Sequence, residues 1–399
     1  MLSGKTVILG VTGGIAVYKA VELLRLLTKA GAAVHVVMTK AATEFVTPLT
    51  FQTLSGNQVH SELFNLITEQ EIGHISLADR ADLCIIAPAT ANCIGKLAGG
   101  IADDLLTTTI MATKAPVLLA PAMNVNMYEN AIYRENEARL QRHGYLFIPP
   151  VSGSLACGWE GKGKLPEPTA IMEAAAAALT PKDMAGLTVL VTAGPTREEI
   201  DPVRYISNHS SGKMGYALAK IARRRGADVI LVSGPVAIPP PDGIETVAVT
   251  TSEEMRKAVL ARAAECDLVI KAAAVADYRP VERSDRKVKK KSPEMTILLG
   301  KNPDILAELG RIKPAGQILV GFAAETESLH ENAVAKLTAK NLDMIVANDV
   351  SQDGAGFIAD TNIVTIIRRD GSDEALPQLP KEQLAGEILT RALALKKAI

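Results

Sequence analysis

The feature that most constrains the fold of this 399-residue chain is an opening that occurs twice. Leu2-Ser-Gly-Lys-Thr-Val-Ile-Leu-Gly-Val-Thr-Gly-Gly14 and Met184-Ala-Gly-Leu-Thr-Val-Leu-Val-Thr-Ala-Gly194 share one pattern: a glycine, a β-branched apolar run, then threonine and glycine. A run that is apolar throughout, followed by a glycine turn toward a helix, is the first βα unit of a doubly wound parallel sheet. Its recurrence predicts an α/β chain built as two doubly wound, Rossmann-like domains. In the first half, strands are expected at Val34–Met38, Leu83–Ala87, Val117–Ala120 and Leu146–Pro149, with helical periodicity over Val21–Ala30 and Ile132–His143. In the second, strands are expected at Leu187–Val191, Val229–Val232, Leu268–Ala272, Ile318–Phe322, Met344–Asn348 and Ile363–Ile367, and a helix at Tyr216–Arg225. The alanine-rich helix Ala174–Leu179 and Thr180-Pro-Lys-Asp183 put the boundary near Pro181, giving domains 1–180 and 181–399.

Between the second opening and its helix lies Thr192–Gly215, with three glycines, several hydroxyls, Arg197, Arg204, Asn208 and Lys213. A strand that leads through such a loop into a helix places backbone N–H groups around an anion. This half is therefore expected to handle a phosphorylated ligand. In the first half, loops that follow the strands deliver Thr90, Asn92, Asn124 and Cys157 to one sheet edge, where open α/β sheets bind ligands. Cys157 lies in a glycine-rich loop where a thiol has no packing role, and His74 sits near a helix start.

Charge and composition remove several classes. Lys plus Arg is 43 and Asp plus Glu is 44, and aromatics are 4%, so neither a basic nucleic-acid face nor a base-stacking platform is expected. The apolar stretch Val7–Val17 is broken by Gly13-Gly14 and followed by Lys19 and Glu22, unlike a signal peptide. No stretch is long and apolar enough to span a bilayer. The four cysteines lack zinc or disulfide spacing, and the chain reads as cytoplasmic. A nicotinamide site is disfavoured because Gly10–Ala16 lacks the third glycine of its fingerprint, and no acid follows the second strand of either half. A P-loop is excluded because Ser207 stands where its first glycine belongs and Met214 where a hydroxyl belongs.

Several motifs then carry a resemblance: His74-Ile-Ser-Leu, Pro121-Ala-Met-Asn124, Ala156-Cys-Gly158, Thr192–Gly215, Ala272-Ala-Ala-Val-Ala-Asp-Tyr278 and Lys287-Val-Lys-Lys290. From about Ser3 to about Ala392 the chain closely resembles the bifunctional enzymes of bacterial coenzyme A biosynthesis, phosphopantothenoylcysteine decarboxylase fused to phosphopantothenate–cysteine ligase. The resemblance implies a flavodoxin-like flavoprotein domain followed by a nucleotide-binding ligase domain. In the first it implies FMN on Gly13, Gly14, Ile15, Thr39, Thr90, Asn92 and Ala122, with His74 as active-site imidazole, Asn124 on the substrate carboxylate and Cys157 as proton donor. Lys164 stands where the family pattern has arginine, so no substrate contact is assigned to it.

In the second domain the resemblance implies that CTP, with Mg²⁺, activates 4′-phosphopantothenate for attack by cysteine. Ser211, Gly212 and Gly215 would cradle the triphosphate, and Lys287, aided by Lys289 and Lys290, would offset leaving-group charge. Asn208 would hold the acyl intermediate, and Arg204 the substrate phosphate or acyl group. Further nucleotide contacts map onto Ala273, Asp277, Pro303, Asp304, Ile305, Leu306, Phe322, Lys336 and Lys340, and no metal ligand is assigned. Arg286–Lys291 reads as a mobile flap over the nucleotide. Trimeric flavin domains and dimeric ligase domains, with a dodecamer as one combination, are the implied homo-oligomers. Two other readings stay open: a two-domain nicotinamide oxidoreductase, and a non-catalytic flavin-binding subunit.

Overall fold

The structure is a computed structural model that describes residues 2–63, 73–154, 158–289, 295–325, 329–349, 356 and 359–397. Cys157 and Lys290 lie outside the described residues. The chain divides into two compact units, Met1–Thr180 and Pro181–Ile399.

The first unit runs β1 (Thr6–Val11), α1 (Val17–Lys29), β2 (Ala33–Met38), α2 (Lys40–Thr43), α3 (Pro48–Ser55), α4 (Gly73–Arg80), β3 (Leu83–Ala89) and α5 (Ala91–Gly99). It continues with α6 (Leu105–Ala112), β4 (Val117–Pro121), α7 (Val125–Glu129), α8 (Ala131–Arg142), β5 (Leu146–Phe147), β6 (Val151–Ser154), β7 (Glu160–Lys164) and α9 (Pro168–Leu179). The sheet order is β2-β1-β3-β4-β5, all parallel, so the order reverses between β1 and β3. That is the flavodoxin-like arrangement, with its ligand crevice at the reversal. The apolar runs are continuous because both faces are covered. Val7 and Leu9 pack with Leu23 and Leu24 of α1 and Ile171 of α9, while Ile8 and Ile86 pack with Ile94 of α5 and Ile110 of α6. Each such buried side chain contributes about 1.5–3 kcal/mol. Strand β5 is shorter than expected, since Pro149 and Pro150 have no N–H to extend the ladder. The glycine-rich segment around 157 is flanked by an antiparallel ribbon, β6 with β7, rather than being loop throughout.

The second unit contains β8 (Thr188–Ala193), β9 (Arg197–Asp201), β10 (Arg204–Ser207), α10 (Lys213–Arg224), β11 (Asp228–Ser233), β12 (Glu245–Ala248), α11 (Ser252–Ala263) and β13 (Leu268–Lys271). Then follow β14 (Tyr278–Pro280), β15 (Leu299–Lys301), α12 (Ile305–Ile312), β16 (Ile318–Glu325), α13 (Leu329–Ala339), β17 (Met344–Asp349), β18 (Thr361–Arg368), β19 (Asp373–Pro380) and α14 (Lys381–Lys397). Its sheet order is β12-β11-β8-β13-β16-β17-β18-β19. The first six strands are parallel and reverse order between β8 and β13, the dinucleotide-fold arrangement, while β18 and β19 close the sheet antiparallel. The last strand, an edge, carries Pro377 and Pro380. The Thr192–Gly215 segment departs from the expected loop: β9 and β10 form an antiparallel hairpin inside it.

Candidate functional site

In the first unit a cavity of about 820 Å³ opens where the parallel strands end, a size typical of cofactor sites. Its wall is made by Thr12–Ala16 after β1, Thr39–Ala41 after β2, Thr90–Cys93 after β3, Ala122–Asn124 after β4 and Gly163–Leu165 from β7 onward. The positions assigned by resemblance to a flavin, Gly13, Gly14, Ile15, Thr39, Thr90, Asn92 and Ala122, all line it, as do Asn124 and Lys164.

Thr12, which sequence reading passed over, ties the two sides of the strand-order reversal. Its buried hydroxyl donates to the Pro88 carbonyl at 2.7 Å and accepts the Thr90 N–H at 3.0 Å. The Thr90 hydroxyl in turn caps α5 by accepting the Cys93 N–H. Gly13 is required by space, because a Cβ there would sit 2.4 Å from the Ala41 Cβ. Large apolar groups are left uncovered in the wall: Ile15 is 60% exposed and Met127 49%. Two of the lining cations are paired, Lys19 with Glu167 at 2.7 Å and Lys96 with Asp103 at 2.6 Å and Asp104 at 3.0 Å. Burial pushes the Asp104 carboxyl up, but hydrogen bonds from Thr107 and Lys96 outweigh it and hold the group below its ordinary value.

Asn124 caps α7, its side-chain oxygen accepting the Asn126 N–H at 2.8 Å. Strand β7 is fixed to this same turn, since the Met123 N–H donates to the Gly163 carbonyl at 3.0 Å. A Cβ on Gly163 would lie 2.3 Å from the Met123 oxygen, so the approach demands glycine. His74 lies in the first turn of α4, half-buried, with Nδ1 lacking a partner among the described residues; it does not line the cavity. Cys157 is outside the described residues. The lining fits a flavin mononucleotide: the glycine turn before α1 and the hydroxyls of Thr39 and Thr90 for a phosphate, and exposed apolar wall for a planar ring.

In the second unit the loops after β8 and β13 are stitched together at the strand-order reversal. The Ala274 N–H donates to Gly194 at 2.9 Å, the Ala273 N–H to the Thr192 hydroxyl at 3.1 Å, and the Ala276 N–H to the Thr196 hydroxyl at 3.0 Å. Asn208 joins this seam, its side-chain N–H donating to the Val275 carbonyl at 3.0 Å. Gly212 precedes α10 with φ 76°, and a Cβ on Gly215 would lie 2.5 Å from the Ala193 Cβ, so Gly215 serves close helix–strand packing.

Arg204 and the basic segment are linked through Asp201. The Asp201 carboxylate accepts the N–H groups of Val203, Arg204 and Val288 at 2.8, 2.9 and 3.1 Å, and the Arg204 guanidinium donates to the Val288 carbonyl at 2.6 Å. The Ser284 N–H also donates to Ile200 at 3.0 Å. Burial raises the Asp201 pKa, but these backbone donors and Arg204 more than offset it, and the carboxyl is held below its ordinary value. The expected mobile flap is therefore docked on the β9–β10 hairpin over residues 284–288, with Lys287 and Lys289 exposed beside the dock. Its far end, including Lys290, lies outside the described residues.

Asp304 caps α12 and pairs with Lys340 at 2.9 Å. Ile305 and Leu306 are buried in the core, so they offer a ligand only backbone. Phe322 is half-buried on β16, Pro303 precedes the α12 cap, and Asp277 accepts the Asn302 N–H through its carbonyl at 2.8 Å. Lys336, on α13, and Ser211, before α10, are half-buried. A further residue, Lys271 at the end of β13, was not singled out from sequence; a charge closing an otherwise apolar strand is the signal that marks it. Among the described residues there is no cluster of three or more His, Cys, Asp or Glu that could hold a metal, and no helix long and apolar enough to cross a membrane.

Comparison with known proteins matches residues 1–180 to the family described as Flavoprotein and residues 184–395 to the DNA/pantothenate metabolism flavoprotein C-terminal domain. The chain is 53% identical over 401 residues to the coenzyme A biosynthesis bifunctional protein CoaBC of Bacillus subtilis, covering 100% of this chain and 98% of that protein. It is 48% identical over 390 residues to the protein of the same name from Vibrio cholerae, covering 97% and 98%. A crystal structure of the C-terminal domain of a CoaBC protein, 47% identical, covers 54% of this chain and 100% of that one, with a TM-score of 0.47.

Proposed function

The chain belongs to the family of bifunctional coenzyme A biosynthesis proteins, and from that premise we propose which residues carry each of its two reactions. It is an enzyme with a flavoprotein decarboxylase half and a ligase half. We assign the FMN-dependent decarboxylase to residues 1–180 and the CTP-dependent ligase to 181–399.

The ligase acts first. An amide does not form from a carboxylate and an amine in water without activation. The 4′-phosphopantothenate carboxylate attacks the α-phosphorus of CTP, the bond to pyrophosphate breaks, and an acyl-cytidylate results. The cysteine amine then attacks the acyl carbon and CMP leaves. Positioning and charge neutralisation dominate such chemistry. Ser211, Gly212 and Gly215 border the triphosphate at the α10 N-terminus, and Lys287 with Lys289 and Lys290 offsets charge on the departing phosphates. Asn208, already held by Val275, holds the acyl group. Arg204 holds the substrate phosphate or acyl group, and its guanidinium also donates to the Val288 carbonyl of the Lys287 segment. Asp277, Asp304, Lys336 and Lys340, with Ala273, Pro303, Ile305, Leu306 and Phe322, surround the nucleotide. Mg²⁺ would enter with the nucleotide, whose phosphate oxygens, with water, usually supply most of its ligands.

In the first unit FMN, when bound, supplies a reversible two-electron sink, so that CO₂ can leave the cysteine adduct without an unstabilised carbanion. Gly13, Gly14, Ile15, Thr39, Thr90, Asn92 and Ala122 hold the cofactor. Asn124 orients the substrate carboxylate beside it, and β7 is pinned to that same turn at Gly163. Cys157 delivers the proton that completes 4′-phosphopantetheine; an ordinary thiol, with pKa ~8.5, is largely protonated at neutral pH. His74, absent from the cavity of its own chain, would reach the reaction from a neighbouring copy in a trimer of flavin units. Dimeric ligase units and a cytoplasmic location complete the reading.

The observation that carries it is the convergence of every flavin-assigned position on one cavity. The test is mass spectrometry of the purified protein with 4′-phosphopantothenate, cysteine, Mg²⁺ and CTP, with ATP in a parallel reaction. 4′-Phosphopantetheine with CMP and CO₂ is expected; no product with either nucleotide would sink the proposal.

A further inference from the structure

We propose that Lys162 and Glu137 are positioning residues of the decarboxylase half: across the ring of Tyr128 they hold the ribbon that carries Cys157 against the turn that carries Asn124. The inference rests on the reading above that Asn124 and Cys157 act on one substrate. Cys157 falls in sequence between β6, which ends at Ser154, and β7, which starts at Glu160. Asn124 caps α7, and one helical turn on the Tyr128 N–H donates to the Asn124 carbonyl at 3.0 Å.

Ribbon and turn meet through glycine. A Cβ on Gly161 would sit 2.7 Å from the Val125 side chain, and the Gly163 carbonyl accepts the Met123 N–H. Lys162, between these two glycines, carries the one side chain of that stretch. Its ammonium lies 5.8 Å from the centre of the Tyr128 ring, and the Arg134 guanidinium of α8 lies 4.7 Å from the same centre. Each cation is attracted by the ring quadrupole, but two cations on one ring repel unless an anion stands near.

Glu137 of α8 is that anion. It is 7% exposed, and its carboxylate accepts from the Arg134 guanidinium at 2.8 Å. Burial pushes the Glu137 carboxyl up, while Arg134 and Lys162 hold that rise in check. Among the described residues Lys162 has no hydrogen bond or ion pair of its own, so the ring and the Glu137 charge are what direct it. The same cluster leaves the buried Tyr133 hydroxyl without a partner among the described residues, its ring 5.4 Å from that of Tyr128. A buried carboxylate and an orphaned hydroxyl both cost stability, which points to a role beyond packing. Proton delivery depends steeply on placement. A ribbon free to drift over the turn would slow turnover at saturating substrate more than it weakens binding.

The test uses the full-length, FMN-loaded protein with 4′-phosphopantothenoylcysteine supplied directly, and compares wild type with Lys162→Met, Lys162→Arg and Glu137→Gln. Lys162→Met and Glu137→Gln should each lower the decarboxylation kcat about five- to tenfold, with KM changed less than about twofold. Flavin absorbance and CTP-dependent adduct formation should stay as in wild type. Lys162→Arg keeps a cation over the ring and should hold kcat within about twofold of wild type. An unchanged kcat in Lys162→Met, a loss that Lys162→Arg shares, or a loss that comes with lost flavin overturns the inference and leaves the decarboxylase reading intact. No decarboxylation by flavin-loaded wild type would overturn both. Should Glu137→Gln fail to fold, the exposed Lys162 carries the comparison with the same criteria.

Discussion

The two units solve one problem in opposite ways. Both place their candidate site at the carboxyl ends of a parallel sheet, where the strand order reverses. The first leaves a cavity of about 820 Å³ whose wall keeps Ile15 and Met127 exposed and whose cations Lys19 and Lys96 are paired with carboxylates. The second stitches its two loops together across Thr192, Gly194 and Thr196 and gathers charges that face one another, Asp304, Lys340, Asp277 and Lys271. A resident cofactor with a flat apolar ring suits a preformed slot. A triphosphate that arrives, is cleaved and departs suits a charge-rich crevice. The same scaffold thus separates permanent from transient occupancy by what its loops present, an exposed apolar wall in one unit and opposed charges in the other.

The sharpest way to break this comparison is to remove charge from the second unit alone. Lys287→Met should lower ligase turnover roughly 10²–10³-fold, with flavin content unchanged by absorbance; a loss below tenfold would take Lys287 out of the chemistry. The converse is Gly13→Val, whose side chain collides with Ala41. It should cut FMN affinity by about 10²-fold, read by fluorescence titration of flavin-stripped protein, with CTP-dependent adduct formation preserved.

A smaller effect is expected at the dock. Asp201→Asn should loosen residues 284–288 and reduce ligase turnover roughly tenfold. Because the Asp201 pKa is depressed in the folded protein, its contribution is fully present above the ordinary aspartate value, ~3.9, and is lost as pH falls through the depressed value. Hydrogen exchange at Val288 should therefore accelerate in wild type below about pH 4 and be pH-insensitive, beyond intrinsic chemistry, in the variant. The smallest change is Thr12→Val, which removes the donor to Pro88 and the acceptor for Thr90. It should cost the first unit about 1–3 kcal/mol, measured by urea unfolding, and leave the second unit's transition in place.

What could be read from sequence follows the physics of each element. Strands such as Leu83–Ala89 and Thr188–Ala193 announce themselves because a sheet covered on both faces needs unbroken apolar runs. The β9–β10 hairpin did not, because Arg-Glu-Glu-Ile-Asp and Arg-Tyr-Ile-Ser carry no apolar alternation, and only the Asp201-Pro202 turn hints at it. The positions assigned to a flavin come from motif, and all of them line one cavity. Thr12 and Asp201 were hidden because their importance lies in long-range partners, which no local pattern encodes.

The edge strand β19 bears on how the chain survives in a crowded solution. An open sheet of eight strands ends in a row of backbone groups that could recruit another chain and grow into fibres. Pro377 and Pro380 remove two N–H donors from that row and resist the flat geometry on which such growth depends. Replacing both with threonine would leave the crevice between β8 and β13 untouched, yet turn the end of the sheet into a template for self-assembly.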